Sequence, residues 1–251
     1  MTDTKQAVKN DGDQYSHQRC YARSRGDCSK ELSSEHFLSR ALLERIDKSA
    51  CGVYVRGFPW QKSEVEQIGI NRLASKVLCR HHNSQLSVLD QEALRLVTLI
   101  EKVAAKSDGL CMDTVNGHLI ERYLLKVLCG LLASKSVGLH GDRIDWPPPD
   151  EWIEMLWGAR RFPYAWGLKV NAVEGDKWTE DPGSYHVAPI FGDGIPVGLE
   201  AVFRRVHLYL IMTDPAPHLD SVLGRGPTFM PRQFNMKHER GSVTIKLRWY
   251  D

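Results

Sequence analysis

The stretch Leu78-Cys79-Arg80-His81-His82-Asn83-Ser84-Gln85-Leu86-Ser87-Val88-Leu89-Asp90 decides how the first third of this chain is read. Cys79-x2-His82 has knuckle spacing, which lets both side chains point at one ion. Upstream, Cys20-x7-Cys28 supplies a second pair. That spacing is long for a knuckle, but a loop containing Gly26-Asp27 can close it. Together Cys20, Cys28, Cys79 and His82 form a donor set suited to a tetrahedral Zn2+ ion. A module of short strands has too little core to fold firmly alone, so a structural metal makes physical sense here. Cys51 is an alternative to Cys20 or Cys28, and His17-x2-Cys20 also has knuckle spacing. Cys111 and Cys129 lie in or beside apolar helical sequence and are expected to be buried thiols.

Between the two pairs lies Ser34-Glu35-His36-Phe37-Leu38-Ser39. A carboxylate followed directly by an imidazole suits phosphodiester hydrolysis. The carboxylate can hold a divalent cation, and a His titrating near neutrality can take a proton from an attacking water. The cation would stabilise charge on the phosphate and on the leaving oxygen. Asn83, directly after His82, is placed to complete such a metal shell. The other use of a Glu-His pair is an ordinary surface pair, or a His that supports the zinc shell.

The order Cys20, Cys28, Ser34-x-Glu35-His36, then Leu78-Cys79-x2-His82-Asn83-x2-Leu86-x2-Leu89-Asp90, resembles the HNH endonuclease superfamily. It is most similar to the branch with an S-x-E-H, C-x2-[CH]-N, L-D signature. The resemblance covers about residues 17–90. It implies a ββα-metal fold that cuts DNA, less often RNA, with one divalent ion, Mg2+ or Mn2+. It makes Glu35 the acidic metal ligand, His36 the general base and Asn83 the last residue of the H-N-H name. Glu35 and Asn83 would then hold the catalytic ion. Two positions depart from the commoner pattern: Glu35 stands where Asp is usual, and Asn83 where His is usual. The middle Asn has no clean match; Asn71 is the candidate and Ser75 the substitute, while His81 could also turn toward the ion. Roles in phage defence, restriction or a mobile element follow only by analogy. The competing readings are a zinc-stapled nucleic-acid- or partner-binding protein without chemistry, and an RNA-cleaving nuclease.

Charge supports a polyanionic partner. The 251-residue chain carries a net charge of only +2. Residues 17–83 nevertheless hold 12 Lys+Arg against 7 Asp+Glu, a local +5 that leaves −3 for the rest. A basic face attracts phosphate backbones through counterion release. Arg40, Arg45, Arg72, Lys76 and Arg80 are the candidate nucleic-acid contacts, with DNA, or RNA, as partner. Hydrophobic content of 42% and charged content of 25% are those of an ordinary globular chain. No membrane-spanning apolar run and no apolar leader occur, so a cytoplasmic protein is expected, one whose cysteines bind metal or lie buried rather than pair.

The fold class expected is α+β. Residues 1–16 read as a flexible lead and 17–106 as the zinc and nuclease module. Residues 107–160 read as a helical segment with a Pro/Trp-rich linker, and 161–251 as an antiparallel β-rich region for target sensing or for pairing with a second copy or an accessory protein. Gly52 to Trp60 alternates like a strand ending at Pro59, and Leu73 to Leu78 like another. Leu86, Leu89, Ala93, Leu96, Val97, Ile100 and Val103 recur at helical spacing. Ser84 or Ser87 is the expected cap, and Ser107-Asp108-Gly109 the stop. A second helix runs from about Asn116 to Ser134, with Arg122 and Lys126 expected on a solvated face or along a phosphate backbone. Gly141 to Pro149 is a linker, since three prolines cannot continue a helix. A short helix follows around Asp150 to Trp157. Strands are expected at Gly167 to Val173, Tyr185 to Phe191, Leu199 to Phe203, Val206 to Met212 and Ser242 to Trp249. The tryptophans from Trp146 to Trp178 read as core or interface, with base stacking as the lesser use.

Overall fold

A computed structural model describes residues 15–47, 52–56, 58–104, 109–139, 142–172, 185–204, 206–214, 227–238 and 241–249. Cys51 and Trp178, and the side chain of Cys111, lie outside the described residues. The described part is a mixed α/β protein with five helices and several sheets.

The chain enters through a loop that carries Cys20 and Cys28, then forms strand β1 (Leu32–His36). Helix α1 (Arg40–Ile46) and a hairpin of β2 (Val53–Arg56) and β3 (Val65–Ile68) follow. The strand expected up to Pro59 is therefore shorter: the backbone turns at Pro59 and Trp60, and Phe58 N–H finds the Gln61 side chain instead of a ladder partner. Strand β4 (Ala74–Cys79) returns antiparallel to β1 and runs straight into helix α2 (Arg80–Gln85). The β1–β4 register shifts between Ser33 and Glu35, a bulge of the kind that re-aims a side chain.

The long amphipathic helix expected here is divided. After α2 the chain bends at Leu86 and continues as α3 (Ser87–Ala104), which buries Leu89, Ala93, Leu96, Val97 and Ile100. Neither expected serine is the first cap. Cys79 caps α2 with its sulfur, which accepts from His82 N–H, and Ser87 Oγ donates to the Ser84 carbonyl.

Helix α4 (Gly117–Ala133) is capped by Asn116, whose side chain accepts from Leu119 N–H. It is buried on nearly every face, including Glu121 and Lys126. An all-round buried helix is the centre of a core. The solvated face expected for Arg122 and Lys126 is thus corrected. Lys126 is 3% exposed, and Arg122 donates from Nε to the Leu156 carbonyl at 2.6 Å.

The Gly141 to Pro149 segment holds more structure than a linker: β7 (Asp142–Arg143) pairs with β6 (Gly138–Leu139) before the prolines lead into α5 (Asp150–Leu156). Strands β8 (Gly167–Ala172), β9 (Tyr185–Gly192), β10 (Ile195–Phe203), β11 (Val206–Ile211) and β12 (Thr228–Phe229) make one antiparallel sheet in the order β12-β8-β11-β10-β9. A second sheet departs from the antiparallel expectation. In it β13 (Gln233–His238) pairs antiparallel with β14 (Gly241–Arg248), and β14 pairs parallel with β5 (Gly109–Asn116). Such a parallel pair needs a long connection, and nearly all the chain after β5 supplies it. Gly109 opens a strand and is not the end of a helix. One hydrophobic cluster takes residues from each of the three units expected within 17–251. Among the described residues no helix is long and apolar enough to cross a membrane.

Candidate functional site

The four expected zinc donors meet. Cys20, Cys28, Cys79 and His82 are all buried, and one ligand atom from each lies within 4.8 Å of the others. His82 Nδ1 is 3.4 Å from Cys20 Sγ, 3.7 Å from Cys28 Sγ and 3.3 Å from Cys79 Sγ. A tetrahedral Zn2+ with bonds of about 2.3 Å to sulfur and about 2.0 Å to nitrogen holds its donors roughly 3.5–3.8 Å apart, so the set fits zinc. Positive φ at Gly26 (72°) and Asp27 (48°) folds the seven-residue loop back on itself. The Cys79 N–H donates to Cys20 Sγ at 3.4 Å, which fixes one half of the site against the other.

Chemistry agrees with geometry. Burial pushes the Cys20 thiol up to about 12, and burial also raises Cys28. Burial acts in the same sense on Cys79, but the N–H groups of His82 and Ser29 outweigh it and leave that thiol lowered. A dication in the centre would offset the cost of packing such sulfurs together. On the far side of the ring, His82 Nε2 donates to Asp27 Oδ1 at 2.9 Å. That carboxylate–imidazole pair assigns Nδ1 to the metal. Trp157 stands edge-on over His82 at 5.5 Å, and Arg25 lies over Trp157 at 5.0 Å. Sequence spacing marks neither Asp27 nor Trp157 as part of the site; the one signal for Asp27 is its place beside Gly26 in the loop that closes the Cys20–Cys28 half. The alternative ligand His17 instead accepts from Arg19 N–H at 3.1 Å and is outside the cluster.

Glu35 and His36 leave β1 in different directions. Glu35 points inward and is 6% exposed. Its Oε1 lies 2.6 Å from Lys126 Nζ, and the same ammonium is 2.7 Å from both oxygens of Asp90. Burial raises the Glu35 pKa, while Lys126 and the Asn83 amide pull against it. Asn83 also donates from Nδ2 to Ser33 Oγ at 2.8 Å. The structure thus brings Glu35 and Asn83 together, as the expected catalytic pair requires. As placed, however, they do not fit a Mg2+ or Mn2+ ion. Such an ion wants near-octahedral oxygen donors at about 2.0–2.1 Å, and the carboxylate here already faces a cation.

His36 is half-buried at the end of β1, and its Nε2 atom is itself buried with no hydrogen-bond partner among the described residues. Burial lowers its pKa, Arg40 adds to this, and the Asn71 side chain opposes both. Asn71, the candidate middle Asn, therefore does sit beside the expected base. Ser75 faces Glu35 across the β1–β4 ladder. His81 turns toward the zinc side, where its Nε2 meets Asp27 at 3.3 Å and Gln85 at 2.9 Å.

Of the five candidate nucleic-acid contacts, four are ion-paired: Arg40 with Glu44, Arg45 with Glu101, Arg72 with Glu66, and Arg80 with Glu31. Lys76 is exposed and borders a groove of about 650 Å³ that Arg19, Arg23 and Lys135 also line. No family model matches the sequence, and neither curated proteins nor solved structures give a match.

Proposed function

We propose that this chain is a nuclease of the HNH kind, a zinc-stapled ββα-metal module that hydrolyses phosphodiester bonds in DNA. One observation carries the reading. Antiparallel strands β1 and β4 lead directly into α2, with His36 at the end of the first strand, Asn83 on the helix and the Cys79/His82 half of the staple at the junction. In this reading the zinc cluster is structural and holds the strands and helix in register. His36, kept neutral by burial and hydrogen-bonded by Asn71, is the base of this reading; its unpartnered Nε2 is buried, so substrate binding must open it before it takes the proton of the attacking water. No step is assigned to a divalent ion, because the donors as placed do not fit one.

The test is cleavage of plasmid DNA and of a structured RNA by zinc-loaded wild type and His36→Ala, with and without added Mg2+ or Mn2+. Cutting of DNA that is lost in a folded, zinc-retaining His36→Ala supports the proposal. Cutting of RNA alone reassigns the substrate. A second reading, a zinc-stapled nucleic-acid- or partner-binding protein without chemistry, is favoured by the burial of Glu35 against Lys126. Wild type that binds DNA and never cuts it would establish that reading instead.

A further inference from the structure

A lysine in the middle of a largely buried helix is expensive, because its ammonium must leave water. Lys126 sits there between Leu125 and Val127, which are 0% and 1% exposed. Its three N–H bonds meet three oxygens: Glu35 Oε1 at 2.6 Å and the two Asp90 oxygens at 2.7 Å. Donors and acceptors match one for one, from three separate elements, β1, α3 and α4. This is a built cation site with the cation supplied by the chain.

We infer that the Lys126 ammonium is the resident cation of the Glu35–Asp90 centre, so that the centre takes no divalent ion. The inference deepens the nuclease reading, and rests on it only for its consequence that hydrolysis by His36 needs no added metal. The argument for exclusion is electrostatic. A dication bound to these oxygens would stand against an ammonium that already touches three of them. Lys126 is itself buried on α4 with core residues on either side of it. Expelling a charged lysine into that core would leave it desolvated and unpaired.

The experiment is Mn2+ binding, read by electron paramagnetic resonance and calorimetry on the full-length, zinc-loaded protein. Wild type is expected to bind no Mn2+ at the centre at millimolar concentration. Lys126→Ala is expected to gain one site, and that site to vanish in Lys126→Ala/Glu35→Gln. One equivalent of Mn2+ on wild type that is lost on Glu35→Gln or Asp90→Asn overturns the inference. So does a folded Lys126→Ala that still binds none. Should Lys126→Ala fail to fold, the wild-type Lys126 ammonium resonance in an ¹⁵N-lysine sample decides the matter. A slowly exchanging signal unmoved by Mg2+ supports the inference, and a signal displaced or lost on adding Mg2+ overturns it. Binding is read without turnover, so failure to cut nucleic acid would sink the nuclease reading and leave this one standing.

Discussion

His82 presents opposite edges of one imidazole to two partners: Nδ1 faces three sulfurs, and Nε2 meets Asp27 Oδ1 at 2.9 Å. Asp27 is therefore placed to hold the ring in the tautomer that a metal at Nδ1 would need. Asp27→Asn keeps the size and weakens the acceptor. Zinc affinity is expected to fall about 10–100-fold, the usual cost of losing an outer partner of a metal-bound His. Competition with a chromogenic chelator reads this directly, and unchanged affinity would show that Asp27 does not set the tautomer. Cys79→Ser removes a ligand and should release the zinc outright.

The Glu35–Lys126–Asp90 trio makes a second demand. Removing its cation with Lys126→Met leaves two carboxylates against the core, one of them deeply buried. Breaking a buried pair on one side costs about 3–5 kcal/mol. Removing both partners strands less charge, so Glu35→Gln/Lys126→Met should cost less than the two single changes added together. Urea unfolding of the zinc-loaded proteins gives all three numbers. Additive losses would mean that the residues do not act as a unit.

Much of this could be read from the chain before its fold was known, for identifiable reasons. The Cys20, Cys28, Cys79 and His82 donor cluster was legible because metal chemistry restricts both residue type and spacing. Helices α3 and α4 were legible because their apolar residues recur every three or four positions. Lys126 was not, since its neighbours in sequence do not reveal that Glu35 and Asp90 converge on it from distant segments. Strand β5 was missed because Gly109–Asn116 has little alternation, and its strand partner among the described residues is β14, more than a hundred residues later. Strand β1 is short and polar, and its pairing with β4 rests on contacts that no local pattern encodes.

His36 supplies the pH test. Burial holds its folded pKa below the ordinary 6.5. The folded state then prefers the neutral ring, so this group's contribution to stability is complete above pH 6.5 and is lost as pH falls through the lower folded value. A base must be unprotonated, so cleavage should already be on its plateau at neutral pH and fall only in the acid range. The His36 Cε1–H resonance should titrate with a midpoint below 6.5, and a midpoint at or above that value would remove this account.

Gly167 opens β8 with φ +108°, and a Cβ built there would sit 2.0 Å from Glu121 Oε1. The same oxygen accepts from Leu168 N–H at 2.8 Å. Gly167→Ala therefore strains the backbone and displaces a buried carboxylate at once. A loss of about 2–4 kcal/mol is expected, from strain and overpacking together. In a chain of this size that lowers the melting temperature by roughly 5–15 °C. A melting temperature within error of wild type would show that Glu121 relaxes freely.

Nucleic-acid binding should depend on which basic residues are already engaged. Arg80 is salt-bridged to Glu31 at 2.8 Å, so Arg80→Ala frees an acid as it removes a base. Lys76 borders the groove that Arg19 and Arg23 also line. Lys76→Ala should weaken DNA binding about equally for all sequences and reduce the slope of log affinity against log salt by about 1, as expected for one lost phosphate contact. The triple change Arg19→Ala/Arg23→Ala/Lys76→Ala should reduce it by about 3 if each contact is independent. Fluorescence anisotropy on a short duplex across a salt series measures both slopes. If Arg80→Ala moves the slope as much as Lys76→Ala does, the groove is not the path of the phosphate backbone, and the surface around α2 must carry it instead.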